Sequence, residues 1–382
     1  MIVFHNCYLS QMAWALEMLP VLAHLQNLND VMEEEDAVQN WRVERKRLRD
    51  SCDPFMAPKR QFQQNFRISK DVARALIQRL APHFPATRRS SLTPTHRVLA
   101  ALKFFASGSY QRGCVAEHNA INMCQTSVSD SLAKVMEAMI VELGAEVIRF
   151  PQTAEERAAV QLGFYEKFGM PGVIGAIDGT LICIKPPILN EEQFFSRKQS
   201  HSINTQIICD SNLRILNVNP RHGGATNDAF IWSHSTVFQY LRDLVINQGV
   251  PYVWLLGDSG YPLQPWLLTP IVGADPDSPQ GRYTRAHILA RNTIERVNGV
   301  LKQKWRCVKK DRVLHYDPAA ARKIINCCAI LHNIALQAMP DWLDDEELPA
   351  PPVIEPVEPV VGNHYLERGR QVRANLITAR YT

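Results

Sequence analysis

Three acidic residues in the second half of the chain have the types and positions that divalent-metal chemistry requires. Asp178 follows the apolar run VIGAI, Asp258 follows YVWLLG, and Glu295 lies in a basic segment with helical periodicity. Carboxylate oxygens are the ligands that Mg²⁺ and Mn²⁺ prefer, and two such ions can activate a water and stabilise the leaving oxygen of a phosphodiester. Converging carboxylates repel one another without a cation. The sequence therefore predicts a divalent-metal site, although each acid alone is equally typical of a turn or a helix cap.

The elements that must position these acids are strands and a helix. Residues 173–178 and 181–186 predict a hairpin that turns at Asp178-Gly179, and residues 252–258 predict a strand buried on both faces. Ligands collect at the carboxyl ends of strands in an open α/β sheet, so both aspartates are expected at one edge. Glu295 falls at the border of the apolar stripe of a predicted helix over residues 291–312.

Cations accompany Glu295 on that helix. Arg291, Lys302 and Arg306 share its polar stripe at helical spacing. We expect these three residues to contact the DNA backbone beside the metal site, because cations neutralise phosphates. The alternative is that they only solvate the surface of the helix.

A second concentration of positive charge precedes the strands. Residues 59–116 contain eleven Lys and Arg but one acid, and the pattern over 59–150 is helical. A short helix, a turn and a longer helix over residues 126–143 match a helix-turn-helix unit. The candidate DNA-binding residues of this unit are Arg88, Arg89, Arg97 and Arg112. The same spacing also occurs in tri-helical cores that make no DNA contacts.

The predicted reading helix of this unit carries an unfavourable charge. Residues 126–143 contain one basic residue, Lys134, against Asp130, Glu137 and Glu142. A net negative helix is poorly suited to reading bases in a negatively charged groove. We therefore expect weak sequence discrimination by the isolated chain, with targeting supplied by a DNA-binding partner or by self-association into a homo-oligomer.

Several motifs occur together and in order. The blocks GAIDGT, RKxxHSxN, LLGDSGYP, RNxIERxxGxLKxxWRC and CCxILHN, within residues 60–338, resemble the PIF/Harbinger transposases and above all the transposase-derived nucleases of that family. The resemblance implies an α/β fold: an RNase H-like catalytic domain, with a mixed sheet flanked by helices, preceded by an all-α helix-turn-helix domain. It also implies a DDE triad of Asp178, Asp258 and Glu295 that binds Mg²⁺ or Mn²⁺.

The resemblance implies further features of the site and its partners. Asp228 matches a recurrent acid of the family and is a candidate accessory acid. The family implies DNA as substrate and a Myb/SANT-like DNA-binding protein as partner. The chain departs from the family at RHGGATND, residues 221–228, and at Asp130, where a basic residue is usual.

The ends of the chain give weaker signals. Residues 1–58 are expected to be a variable segment with a charged linker, residues 151–338 the catalytic domain, and residues 339–382 an acidic, Pro-rich disordered tail. The basic run 42–49 predicts nuclear import, so we expect the protein in the nucleus, with the cytoplasm as a second location. The alternative is that this run only forms a solvated helix face. Nine scattered Cys indicate a reduced intracellular protein, and no apolar run has the length of a membrane span.

Together these features predict a metal-dependent DNA endonuclease, either a transposase or a nuclease derived from one. The alternative is a catalytically silent, DNA-binding scaffold. The GDSG sequence at residues 257–260 is also found in chymotrypsin-like proteases. That function is excluded, because those enzymes are disulfide-bearing all-β barrels whereas this chain alternates helices and strands.

Overall fold

The structure is a computed structural model that describes residues 26–27, 30–85, 92–108, 121–339 and 364–382. Its first half is helical. Residues 30–51 form a helix that we call α1. The following helices are α2 (Lys59–Phe66), α3 (Lys70–Leu80), α4 (Pro94–Ser107) and α5 (Gln125–Val147). Ser69 and Thr93 cap α3 and α4 as their sequences predict, each accepting a bond from a backbone amide three residues on.

A five-stranded mixed sheet follows α6 (Ala154–Phe168). Its strands are β1 (Val173–Cys183), β2 (Ser202–Cys209), β3 (Ile215–Gly223), β4 (Trp254–Leu256) and β5 (Leu267–Leu268). Their spatial order is β3-β2-β1-β4-β5. The β1–β2 and β2–β3 pairs are antiparallel, whereas β4 runs parallel to β1 and β5 runs parallel to β4.

Helices cover both faces of the sheet. They are α7 (Asp228–Ser233), α8 (Thr236–Arg242), α9 (Pro279–Lys304), α10 (Pro318–Ala338) and α11 (Leu366–Arg380). One apolar cluster joins α9 and α10 to the sheet through residues such as Ile294 and Leu331. A smaller cluster on the other face includes Trp232 and Leu241 of α7 and α8. The fold is thus the mixed α/β arrangement that the sequence predicts.

The helical half and the sheet share one core. Buried residues of α2 to α5, including Phe62 and Leu99, belong to the same apolar cluster as the α9–α10 face of the sheet. Gly108 ends α4 with a φ of 62°, and a Cβ there would collide with the backbone of Arg306. The helical half therefore packs tightly against the segment that follows α9, and this contact helps to position the C-terminal end of α9.

Three expectations differ from the structure. The predicted hairpin over residues 173–186 is instead one continuous strand, because β2 pairs with β1 through Asp178 and Gly179 without a turn. Residues 30–51 are a helix rather than a linker. The predicted disorder over residues 339–382 is wrong for residues 364–382, because α11 packs its buried Leu376 and Ile377 into the main core. Residues 340–363 lie outside the described part of the chain.

None of the helices within the described ranges is long and apolar enough to cross a membrane.

Candidate active site

The two aspartates occupy equivalent positions in register on two neighbouring parallel segments of the sheet. Ala176 of β1 is paired with Leu256 of β4, and each aspartate lies two positions after the paired residue of its own segment. Asp178 lies inside β1, whereas Asp258 lies two residues beyond Leu256, the last residue of β4. Because β4 ends while β1 continues, the strand edge places both carboxylates beside one opening. The predicted proximity of the aspartates is therefore observed, although Asp178 is not at a strand end.

Glu295 reaches the same opening from α9, and a single guanidinium joins all three acids. Nη2 of Arg291 lies 2.8 Å from Glu295 Oε1, 3.1 Å from Asp178 Oδ1 and 3.9 Å from Asp258 Oδ2. The Arg291 side chain is only 7% exposed. The three carboxylates thus surround one point, and a buried cation of this chain occupies that point.

The electrostatics of the site show why a cation is needed there. Burial raises the pKa of the Asp178 carboxyl well above its ordinary value, and the charges of Glu295, Asp258 and Asp228 raise it further, while Arg291 opposes them. Burial would lower the pKa of Arg291, but the carboxylates of Asp178 and Glu295 outweigh it and raise the pKa. Positive charge at this point is therefore strongly favoured.

Asp228, the candidate accessory acid, lies on the other side of β1. Gly179 provides the space, because a Cβ at that position would overlap the Asp228 carboxylate. Asn204 Nδ2 donates to Asp228 Oδ1 over 2.7 Å. Burial raises the pKa of Asp228, and the nearby Asp258 charge adds to the effect. Asp228 thus lines the same cleft as the other three acids.

Sequence reasoning missed one residue of the site. Asn298 lies one turn after Glu295 on α9, and its Nδ2 donates to Asp178 Oδ2 over 3.0 Å. Each oxygen of Asp178 is therefore held by a different residue of α9, Oδ1 by Arg291 and Oδ2 by Asn298. The i, i+3 spacing from Glu295 could have indicated Asn298, because residues at that spacing share a helix face.

The acids open into a cleft of about 600 Å³. The four acids Asp178, Asp228, Asp258 and Glu295 line it. Four cations line it as well, namely Lys198, Arg291, Lys302 and Lys310. Lys302 Nζ donates to Thr180 Oγ1 over 2.6 Å, and burial lowers its pKa. The cleft therefore combines a carboxylate centre with a cationic border.

The structure places the three predicted cations, Arg291, Lys302 and Arg306, in different surroundings. Arg291 and Lys302 line the cleft, but Arg291 is buried among the acids rather than exposed for a DNA backbone. Arg306 does not lie on the same helix as Glu295, because α9 ends at Lys304 and Arg306 begins a 3-10 turn. It is not among the residues that line the cleft.

The carboxylates of the cleft are the candidate ligands for a hard divalent cation. As they stand, no three Asp, Glu, His or Cys side chains among the described residues converge closely enough to coordinate an ion. The carboxylates that surround Arg291 Nη2 are nevertheless all oxygen donors, and they already enclose one unit of positive charge. They fit an Mg²⁺ or Mn²⁺ ion on the condition that the guanidinium moves aside.

Of the four arginines predicted to bind DNA in the helical half, Arg97 lies within the described residues. Arg97 is 15% exposed and donates to Asp130 Oδ2 over 2.9 Å, so its charge is matched within the chain. Arg88, Arg89 and Arg112 lie outside the described residues, as does the first helix of the predicted helix-turn-helix unit. Asp130 also accepts from Lys134.

Comparison with known proteins places this architecture in a family. A family profile described as "DDE superfamily endonuclease" matches residues 177–333, which include all four acids of the cleft. The chain is 34% identical over 278 residues to "Putative nuclease HARBI1" of Rattus norvegicus, covering 72% of this chain and 74% of that protein. It is 31% identical over 301 residues to the protein of the same name from Xenopus laevis, covering 78% and 83%.

A plant protein is more distantly similar. "Protein ALP1-like" of Arabidopsis thaliana is 26% identical over 277 residues, covering 70% of this chain and 66% of that protein. No solved structure matches the chain. The profile, the extent of identity and the ordered acids at one sheet edge agree: the chain belongs to the Harbinger transposase-derived nucleases of the DDE endonuclease superfamily.

Proposed function

We propose that this protein is a divalent-metal-dependent DNA endonuclease of the DDE type. The observation that carries the proposal is the convergence of Asp178, Asp258 and Glu295 on one cationic point at the floor of a basic-rimmed cleft. Membership of a DDE endonuclease family supports it. The strand order, with an antiparallel half and a parallel half meeting at β1, supports an RNase H-like catalytic fold.

Each acid has a distinct role in this proposal. Asp178 and Asp258 hold Mg²⁺ or Mn²⁺ from adjacent strands, and Glu295 completes the site from α9. The ion, when bound, supplies a Lewis acid that activates a water and stabilises the leaving oxygen of the phosphodiester. Asn298 keeps the Asp178 carboxylate in one orientation by its bond to Oδ2. Asp228 lies near Asp258 and adds negative charge to the site, but it is not one of the three proposed metal ligands.

Arg291 is the residue that must respond to the ion. Its guanidinium lies where the three carboxylates converge, so the two cations compete for the same oxygens. We infer that Arg291 holds the carboxylates together in the metal-free protein and would have to release them to an ion. A backbone phosphate of DNA in the cleft would then be a suitable partner for its guanidinium.

The border of the cleft suits a nucleic-acid backbone. Lys198, Lys302 and Lys310 approach it from three segments, the loop after β1, the end of α9 and the turn that follows α9. Phosphate neutralisation by such cations supplies affinity without sequence preference. Sequence targeting is proposed to come from a Myb/SANT-like partner, and the basic run 42–49 is proposed to direct the protein to the nucleus.

A nicking assay on supercoiled DNA tests the proposal. The full chain is incubated with Mg²⁺, Mn²⁺ or EDTA, beside Asp258→Asn and the matched control Asp277→Asn, which replaces an exposed acid that does not line the cleft. Metal-dependent nicking by the wild type and the control, but not by Asp258→Asn, is the expected result. DNA binding without nicking under any metal condition would instead identify a silent scaffold.

A further inference from the structure

Helix α1 carries a row of exposed apolar side chains. Val31 is 53% exposed, Val38 45%, Trp41 57% and Leu48 40%. These four residues recur at alternating spacings of three and seven along the helix. Large apolar side chains in one row on an exposed helix face are typical of an interface, whereas single exposed ones need no explanation.

The spacing of the row is that of a coiled-coil seam. Positions 31, 34, 38, 41, 45 and 48 alternate steps of three and four residues, as the a and d positions of heptads do. Four of the six are apolar, and the other two are Glu34 and Arg45. A charged residue at a seam position lowers stability unless its partner helix presents the opposite charge at the same level.

The charges of α1 are separated along its length. Residues 30–40 contain five acids and no Lys or Arg, whereas residues 41–51 contain five Lys and Arg and two acids. Two such helices in parallel would bring like charges together. Two in antiparallel orientation would bring the acidic half of each beside the basic half of the other.

We propose that α1 forms an antiparallel two-stranded coiled coil with a second copy of this chain. When the twofold axis passes between residues 39 and 40, Val31 lies level with Leu48 of the second copy, and Val38 with its Trp41. The same register brings Glu34 level with Arg45 of the second copy, so the two charged seam positions neutralise each other.

Positions flanking the seam agree with this register. Glu35 and Arg42 occupy equivalent flanking positions of successive heptads, and in an antiparallel pair each lies beside the other residue of the second copy. Within one chain, Arg45 lies over the Trp41 ring at 5.1 Å and donates to the Met123 carbonyl over 3.4 Å. That bond is long, so Arg45 retains donors for Glu34 of the second copy.

The interface is independent of the proposed nuclease activity, because none of these residues lines the catalytic cleft. Sedimentation equilibrium of the full chain gives the primary test, and a dimer is expected at micromolar concentration. The first variant reverses the acidic half (Glu34→Lys with Glu35→Lys), and the second reverses the basic half (Arg42→Glu with Arg45→Glu). Each should weaken self-association at least about a hundredfold, because four attractive contacts become repulsive.

The decisive result is complementation. An equimolar mixture of the two variants should form a dimer, and a chain that carries all four changes should dimerise again. A control pair of exposed reversals elsewhere, Lys59→Glu with Glu192→Lys, should leave the mass unchanged. A monomeric wild type would overturn the proposal and favour residues 1–28 of the same chain as the occupant. A dimer that persists in both variants, or no dimer in their mixture, would overturn it equally.

Discussion

Helices α5 and α9 are both long, and both are predicted to contact DNA, but the fold uses their charges in opposite ways. Residues 125–147 contain four acids and one Lys. Their acids are paired within the chain: Asp130 with Arg97, Glu137 with Lys323, and Glu142 and Glu146 with Arg79. The acids of α5 therefore neutralise Arg79 and Arg97, two of the eleven Lys and Arg of residues 59–116, and Lys323 of α10.

Helix α9 instead directs its polar residues into the cleft. Arg291, Glu295, Asn298 and Lys302 all line that cleft, and each is wholly or partly buried. The difference teaches that a cluster of charge in a sequence predicts a binding surface only when the fold leaves the charge unmatched. We therefore expect α9 and its neighbours to contribute more to DNA affinity than α5, which packs on α4 and α10.

The largest effect is expected at the metal-binding carboxylates. Asp258→Asn removes a negative charge while barely changing the shape of the side chain, so DNA cleavage should fall by about three orders of magnitude or more. Initial rates of supercoiled-plasmid nicking at saturating Mg²⁺ measure it. Asp130→Asn is the matched change on α5 and should leave the rate within about twofold of the wild type. Equal losses in the two variants would remove the distinction between the helices.

The second prediction concerns Arg291. Arg291→Gln leaves buried carboxylates uncompensated, so unfolding free energy without metal should fall by about 3–5 kcal/mol. Added Mg²⁺ should then stabilise the variant more than the wild type, because the ion no longer has to displace a guanidinium. Thermal unfolding across a Mg²⁺ titration in the absence of DNA measures both effects.

Arg291→Lys is the control for charge. It keeps the positive charge but loses the planar fork that reaches several carboxylates, so its metal-free stability should lie between those of the wild type and Arg291→Gln. If Mg²⁺ stabilises all three proteins equally, Arg291 does not compete with the metal.

The elements that carry the three acids could largely be predicted from sequence. The contacts between those elements could not, because they depend on tertiary packing. Apolar runs predicted the strands that lead to Asp178 and Asp258, although not that β1 continues past Asp178, and the helical stripe predicted the helix that carries Glu295. The position of Arg291 inside the triad depends on where α9 crosses the sheet, which no local pattern specifies. The pairing of Arg97 with Asp130 joins residues 33 positions apart and depends likewise on tertiary packing.

The third prediction concerns pH. The pKa of Asp178 is raised in the folded protein above its ordinary value of 3.8, so its ionisation disfavours the metal-free fold. The stability associated with protonated Asp178 is fully present below that ordinary value and is lost as pH rises through the raised pKa. Asp178→Asn cannot ionise and should flatten this decline while abolishing cleavage. Urea unfolding between pH 4 and 8, without metal, measures the slope. An unchanged slope in the variant would contradict the assignment to Asp178.

The fourth prediction separates the lysines of the two regions. Lys198→Gln and Lys310→Gln, at the cleft, should each lower DNA affinity for all sequences alike. Each should also reduce the slope of log affinity against log salt by about one. Lys134→Gln on α5 should leave that slope unchanged, because Lys134 is already paired with Asp130. Fluorescence anisotropy with a labelled duplex from 50 to 200 mM salt provides the slopes. If Lys134→Gln reduces the salt slope as much as Lys198→Gln does, α5 also contacts phosphate.

The smallest effect is expected in sequence preference. Helix α5 is net negative and its charged side chains are paired with other residues of the chain, so it offers few donors that could read base edges. Selection of binding sites from random DNA by the purified chain should therefore yield weak enrichment, and Asp130→Ala should change it little. Adding a Myb/SANT-like partner should sharpen the selected motif, since the partner would supply the base contacts. A strong consensus recovered by the chain alone, and lost in Asp130→Ala, would return the reading function to α5 and reverse the contrast with α9.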